Sequence, residues 1–249
     1  MYERSRIISL HVHHLSFRES IDQVSAWGMQ HQHAFVCFAN VHMVIEAHND
    51  LAFQKVLDEA TLVLPDGKPV AMACRWLHKR KQERISGMDF MPALLQKAHE
   101  LKARIFLYGS TDEVLKKIEQ RMQADFPQAV FAGAISPPFR PLTDEEIKTH
   151  ISQINESGAH FVLVALGCPK QEKWMAKNYK SINAVLLGLG GAFPVTAGMQ
   201  KRAPVWMQKI ALEWLFRLIQ EPRRMFKRYF YTNLYFIGLL TKELFRRDQ

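Results

Sequence analysis

The chain has 249 residues, 48% of them apolar and 23% charged, a balance that excludes a mainly disordered polypeptide. Its formal charge is +9, of which +7 falls on residues 201–249, so the body is nearly neutral and the tail is basic. No run of about 18 apolar residues occurs, which argues against a spanning helix, and the first residues, MYERSRIISLHVHH, lack the apolar core of a secretory signal.

In chain order, short apolar, β-branched runs predict strands at Ile7–Val12, Phe35–Ala39, Thr61–Leu64, Arg104–Tyr108, Val130–Ala134, Phe161–Leu166 and Ala184–Leu189. Amphipathic patterns between them predict helices near 17–30, 42–58, 69–78, 88–101, 112–125, 143–157 and 170–179. Thr143-Asp144-Glu145-Glu146 reads as a helix start, with a capping hydroxyl and acids in the first turn. This alternation predicts an α/β fold, a Rossmann-like parallel sheet flanked by helices. After about residue 195 the alternation stops. The remainder reads as two or three helices, one of them starting at Pro222. The expected division is a catalytic body at 1–195 and a helical, Arg-rich appendage at 196–249. Cys37, Cys74 and Cys168 are odd in number, far apart and outside any metal-ligand spacing, as expected of reduced thiols in a cytosolic protein.

A parallel sheet binds its ligand beyond the carboxyl ends of its strands. Asn40, Asp66, Gly109-Ser110-Thr111, Gly167-Cys168-Pro169 and Gly188–Gly191 fall there. Asp-Gly usually turns a hairpin, but a helical pattern follows Asp66-Gly67, so this acid stands where a strand feeds a helix. It is either a turn residue or a proton acceptor. Gly109, Ser110 and Thr111 form an anion cradle or a plain strand-to-helix turn with its cap. Lys170, Gln171 and Glu172 follow Gly167 and Pro169 and read as substrate contacts or as a solvated helix start.

Other signals narrow the chemistry. "GLGGAF" matches the dinucleotide fingerprint only in part, with Phe193 at its third glycine and in the last strand unit. A nicotinamide-dependent oxidoreductase is therefore disfavoured. His11, His13, His14, His31 and His33 fit strand alternation and a helix end, and no acid or cysteine completes a metal site. Asp-x-Asp, a pair that can hold a divalent metal, is absent. In the tail an apolar face of Ile210, Leu212, Trp214, Leu215, Leu218 and Ile219 precedes Arg223, Arg224, Lys227 and Arg228. That pattern suits a helix in the membrane interface, or a helical pair packed on the core or on a twin subunit. A basic tail also suits a non-enzymatic membrane scaffold, which would leave the polar groups at the strand ends unexplained. Nucleic acid is not an expected partner, since the body lacks a basic stripe or a binding module.

Several stretches together resemble the bacterial WecG/TagA/CpsF glycosyltransferase family: "FANVHMV" (38–44), "LPDGKPV" (64–70), "RISGMDFMPALL" (84–95), "FLYGST" (106–111), "ALGCPKQEKWM" (165–175), "GLGGAFPVTAGMQKRAP" (188–204) and "LEWLFRLIQEPRRMFKRY" (212–229). They occur in the family's order over most of the chain. The resemblance implies a GT-E type catalytic body and a metal-independent, inverting transferase that needs no cofactor. The implied donor is a UDP-sugar. The implied acceptor is a saccharide on a polyprenyl diphosphate, met at the inner face of the cell membrane during cell-surface or exopolysaccharide synthesis. It makes Asp66 the base and Asn40 its active-site companion, and places Arg202, Arg217, Arg224 and Arg228 among the substrate-binding groups. Two positions depart from the pattern: Phe38 replaces a threonine in the family's Thr-x-Asn motif, and Pro194 stands where many members have aspartate.

Overall fold

The computed structural model describes residues 2–210 and 212–247, without the side chains of Lys209, Arg223, Arg224, Met225, Lys227, Arg228, Tyr229 and Arg247. The chain opens with β1 (Arg4–Ile7) and β2 (Leu10–His13), followed by α1 (Phe17–Met29), β3 (Ala34–Ala39), α2 (Val41–Asn49), α3 (Leu51–Asp58) and β4 (Leu62–Pro65). Next come α4 (Lys68–His78), α5 (Gly87–Leu101), β5 (Arg104–Gly109), α6 (Asp112–Asp125), β6 (Val130–Ile135), α7 (Asp144–Glu156) and β7 (Phe161–Ala165). The last stretch holds α8 (Lys170–Asn178), β8 (Val185–Gly188), α9 (Phe193–Thr196), α10 (Val205–Lys209), α11 (Glu213–Gln220) and α12 (Pro222–Arg247).

β3 to β8 form one parallel sheet in the order β4-β3-β8-β7-β5-β6. Alternate residues feed two cores. Phe35 and Cys37 of β3, Phe106 and Tyr108 of β5, and Val162 and Val164 of β7 pack with α2, α3, α8 and part of α12. Val36 and Phe38, Ile105 and Leu107, and Phe161 and Leu163 face α1, α5 and α6. Burial on both faces explains why these strands read as continuous apolar runs.

Two expected elements differ. The strand expected at Ile7–Val12 is a separate antiparallel hairpin, in which Ile7 pairs with Leu10. The chain reverses at Ile8, which takes φ 58, a conformation a β-branched residue rarely adopts. Ile7, Leu10 and Val12 are fully buried, so packing offsets that strain. The helix expected at 42–58 is two helices. Asp50 ends α2 and caps α3, its Oδ1 accepting from the N–H groups of Ala52 at 2.9 Å and Phe53 at 3.1 Å. The Thr143 start holds as a full capping box with Glu146.

Candidate active site

β3 and β8 lie side by side, with β4 on one flank and β7, β5 and β6 on the other. At their carboxyl ends opens a cavity of about 1280 Å³. Parallel strands send each following helix away from this edge, so α2, α4, α6 and α8 all begin here with their N–H ends toward it.

Asp66 and Asn40 meet through sheet register. Ala39 and Pro65 are partners on β3 and β4, so the next residue of each strand reaches the rim together. The Asp66 N–H donates to the Ala39 carbonyl at 2.8 Å. Asn40 caps α2, its Oδ1 accepting from the Met43 N–H at 3.1 Å, and both residues line the cavity. Gly67 takes φ 98, which turns the chain into α4 directly after the acid. Burial pushes the Asp66 carboxyl up to about 6, and the negative charge of Glu213 adds to the rise. Arg217, Arg84 and a hydrogen bond from Ser86 pull it the other way. The group is thus mostly ionised at neutral pH yet more basic than a free carboxylate, a suitable poise for accepting a proton.

Two guanidinium groups approach the acid. Arg217 of α11 donates from Nη2 to the Gly191 carbonyl at 3.0 Å, which lays it over the turn after β8. Arg84, just before α5, is fixed in a ring of four charges. It binds Glu213 at 2.5 Å and Asp89 at 2.8 Å, and Arg202 binds Asp89 at 2.5 Å. Arg84, Glu213 and Arg217 line the cavity.

The glycine turns form the remaining polar floor. Gly109 has φ 104, and a Cβ there would lie 2.5 Å from the Ala165 carbonyl oxygen, so only glycine fits against β7. Ser110 and Thr111 line the cavity, and Thr111 caps α6. Gly167 and Gln171 line it as well. Gln171 Nε2 donates to Glu172 Oε1 at 2.7 Å. Glu172 itself is fully buried behind Gln171, and burial pushes its carboxyl up to about 7.

Not every expected residue stands in the wall. Lys170 is exposed outside it, Gly109 and Glu172 are buried behind it, and Arg202 is held by Asp89. The side chains of Arg224 and Arg228 lie outside the described residues. Arg84, Ser86 and Glu213 were not singled out from the sequence. The cue for the first two would have been a basic residue two positions ahead of a helix-capping serine. Phe38 and Pro194, the two departures, both line the cavity. Part of the lining is apolar, with Met72 and Trp76 of α4, Leu215 and Leu218 of α11, and Phe236 and Leu240 of α12. Among the described residues no group of three or more His, Cys, Asp or Glu could hold a metal ion, and no helix is long and apolar enough to cross a membrane.

The family model described as the glycosyl transferase WecG/TagA/CpsF family matches residues 5–249. The chain is 36% identical over 215 residues to an N-acetylglucosaminyldiphosphoundecaprenol N-acetyl-beta-D-mannosaminyltransferase of Bacillus subtilis (strain 168), covering 84% of this chain and 80% of that protein. It is 36% identical to the enzyme of the same description from Bacillus spizizenii, over 78% of this chain and 74% of the other. For that of Staphylococcus aureus (strain MW2) the identity is 29%, over 77% and 74%.

Proposed function

The chain belongs to the WecG/TagA/CpsF family of glycosyltransferases, and from that premise we propose that it moves a sugar from a UDP-sugar to a saccharide on a polyprenyl diphosphate, in cell-surface or exopolysaccharide synthesis. The observation that carries the reading is the placement of one half-buried carboxyl, Asp66, beside two guanidinium groups and an apolar wall in a single cavity.

In this scheme the acceptor hydroxyl oxygen attacks the anomeric carbon of the donor from the side opposite UDP. Its proton passes to Asp66 as the new bond forms. The bond from that carbon to the diphosphate oxygen breaks, UDP leaves with the electron pair, and the configuration inverts. Asn40 keeps the rim of β3 in register with the acid and turns its amide toward the cavity. Charge building on the diphosphate is met by Arg84, Arg217 and the N–H ends of α6 and α8, which act as fixed dipoles and charges. The scheme requires neither a metal ion nor another cofactor.

Residues 196–249 serve as an appendage that folds Arg217 over the site and brings the body to the inner face of the bacterial cell membrane, where a lipid-linked acceptor lies. The apolar wall from α4, α11 and α12 suits the first isoprene units of that acceptor. The transferred sugar is of the N-acetylmannosamine type named for the relatives, or glucose. Phe38 and Pro194 bear on that choice, since each puts an apolar group into the lining where the family pattern has a polar one.

The test is a donor panel of UDP-glucose, UDP-N-acetylglucosamine, UDP-N-acetylmannosamine and its uronic acid, with a synthetic lipid-diphosphate sugar as acceptor and with chelator in a parallel arm. Release of UDP that needs both substrates and survives chelator is expected. Failure with every donor would remove the reading. Loss of activity in chelator restored by manganese would remove its metal-free form.

A further inference from the structure

We propose that Phe139 is the platform on which the donor's uracil base stacks, an inference that rests on the UDP-sugar reading above. Phe139 is 93% exposed, more than any other large apolar side chain among the described residues. It nevertheless lines the same cavity as Asp66, Ser110 and Thr111. Leaving such a ring in water forgoes the stabilisation that burying it would bring, so a fully exposed ring at the mouth of a binding cavity calls for a function.

The backbone that carries the ring is fastened on both sides. Phe139 sits in the connection from β6 to α7, between Pro137-Pro138 and Pro141, whose rings fix φ. Ahead of it, Ser136 Oγ donates to the Ser110 carbonyl at 2.9 Å, which ties the connection to the turn after β5. Behind it, Arg140 forks onto Glu146 at 2.7 and 2.8 Å, and its Nη1 also donates to the Pro141 carbonyl at 3.1 Å. The Arg140 N–H closes back on the Pro138 carbonyl at 2.8 Å. An aromatic ring held on a stiffened loop, with its faces unused, is prepared for stacking.

Sheet order selects the base rather than another part of the ligands. Asp66 follows β4 at one edge of the sheet, whereas Phe139 follows β6 at the other edge. With strands about 4.8 Å apart, the loop's anchor on β5 lies on the order of 20 Å from the acid along the rim. A UDP-sugar is a long molecule with its reacting carbon at one end and its flat base at the other. With that carbon at Asp66, the diphosphate runs over the glycine turns of β8, β7 and β5, and the base arrives beside Phe139. The lipid acceptor enters from the opposite flank, because α12 packs on α2 and α4.

The experiment measures equilibrium binding of UDP to the full chain and to Phe139→Ala, Phe139→Leu and Phe139→Trp, with steady-state rates for both substrates. Because the side chain is exposed, all variants should melt as the parent does. UDP should bind Phe139→Ala about 5- to 100-fold more weakly, the range seen when alanine replaces a base-stacking aromatic. Phe139→Leu should be similarly weak, while Phe139→Trp should bind as the parent and gain a fluorescence change with UDP that inorganic diphosphate does not produce. The donor KM should rise with kcat at saturating donor nearly unchanged and the acceptor KM unmoved. A parent that binds UDP while Phe139→Ala binds it within twofold, or an effect confined to the acceptor KM, would overturn the platform alone. A parent that binds no UDP would overturn the donor reading and the platform with it.

Discussion

The Asp66 N–H donates to the Ala39 carbonyl at 2.8 Å, a sheet-like bond made one residue beyond the last pair of the β3–β4 ladder. It fixes the acid's backbone to the neighbouring strand, so the carboxyl's position is set by the sheet rather than by a loop. Asp66→Asn keeps that bond and the side chain's shape while removing the proton acceptor. Turnover should fall by about 10²- to 10⁴-fold, the usual contribution of a positioned base, and UDP affinity should stay close to that of the parent. Near-normal turnover in a coupled UDP-release assay would remove Asp66 from its role.

The same residue makes a stability prediction. Its folded pKa of about 6 lies above the ordinary value of 3.8, so the folded state binds the proton more tightly than the unfolded chain. Stability contributed by this group is therefore present below pH 3.8 and lost as pH rises through about 6. Asp66→Asn escapes that loss. It should melt higher than the parent at pH 8, by on the order of 1–2 kcal/mol after allowance for its partly solvated position, and match it at pH 4. Equal melting curves at both values would show that the site does not strain the ionised acid.

Glu213 is the charge that raises Asp66 from the tail side, while Arg217 and Arg84 lower it. In kcat/KM the acidic limb should have its midpoint near pH 6, below which the base is protonated. Glu213→Gln removes the repulsion and should move that midpoint down. Arg217→Gln removes an attraction and should move it up. Midpoints that stay put in both variants would separate the limb from this carboxyl.

Gly109 and Gly167 both take positive φ at strand ends, 104 and 79, but their surroundings differ. A Cβ on Gly109 would lie 2.5 Å from the Ala165 carbonyl oxygen, whereas one on Gly167 would meet nothing within 4 Å. Gly167→Ala should cost only the left-handed backbone, about 1 kcal/mol. Gly109→Ala adds a clash with β7 backbone that cannot give way and should cost at least twice as much. Urea melts of the two variants compare the costs directly, and equal losses would contradict the clash.

The sheet was legible because β-branched runs buried on both faces have few other readings, and its carboxyl edge follows from parallel order alone. Asp66 and Asn40 were visible as polar residues at strand ends, though only register shows that they meet. Ile8 hid the hairpin, since a β-branched residue argues for a strand rather than a reversal. The charge ring was not legible at all. Arg84 and Asp89 lie more than a hundred positions from Arg202 and Glu213, and no local pattern records a pairing across that distance. Arg202 looked like a ligand contact in sequence for the same reason: its partner Asp89 is a tertiary neighbour.

α12 is buried on one side and bare on the other. Phe236 and Leu240 enter the core beside α2, while Phe226, Phe230, Leu234 and Ile237, at the cavity's edge, and Tyr231, beyond it, stay more than half exposed, as does Ile219 on α11. Lys242 and Arg246 of α12 are exposed as well, so apolar and cationic groups are offered together, the combination that holds a helix at an anionic interface. The full chain should sediment with vesicles containing phosphatidylglycerol, less so at high salt because the charge contribution is screened. Ile219→Glu combined with Tyr231→Glu, both outside the cavity wall, should weaken vesicle binding by about tenfold or more while UDP affinity stays unchanged. If the parent ignores vesicles but sediments as a salt-independent oligomer that the double variant dissociates, the bare face covers a second copy of the chain instead of lipid.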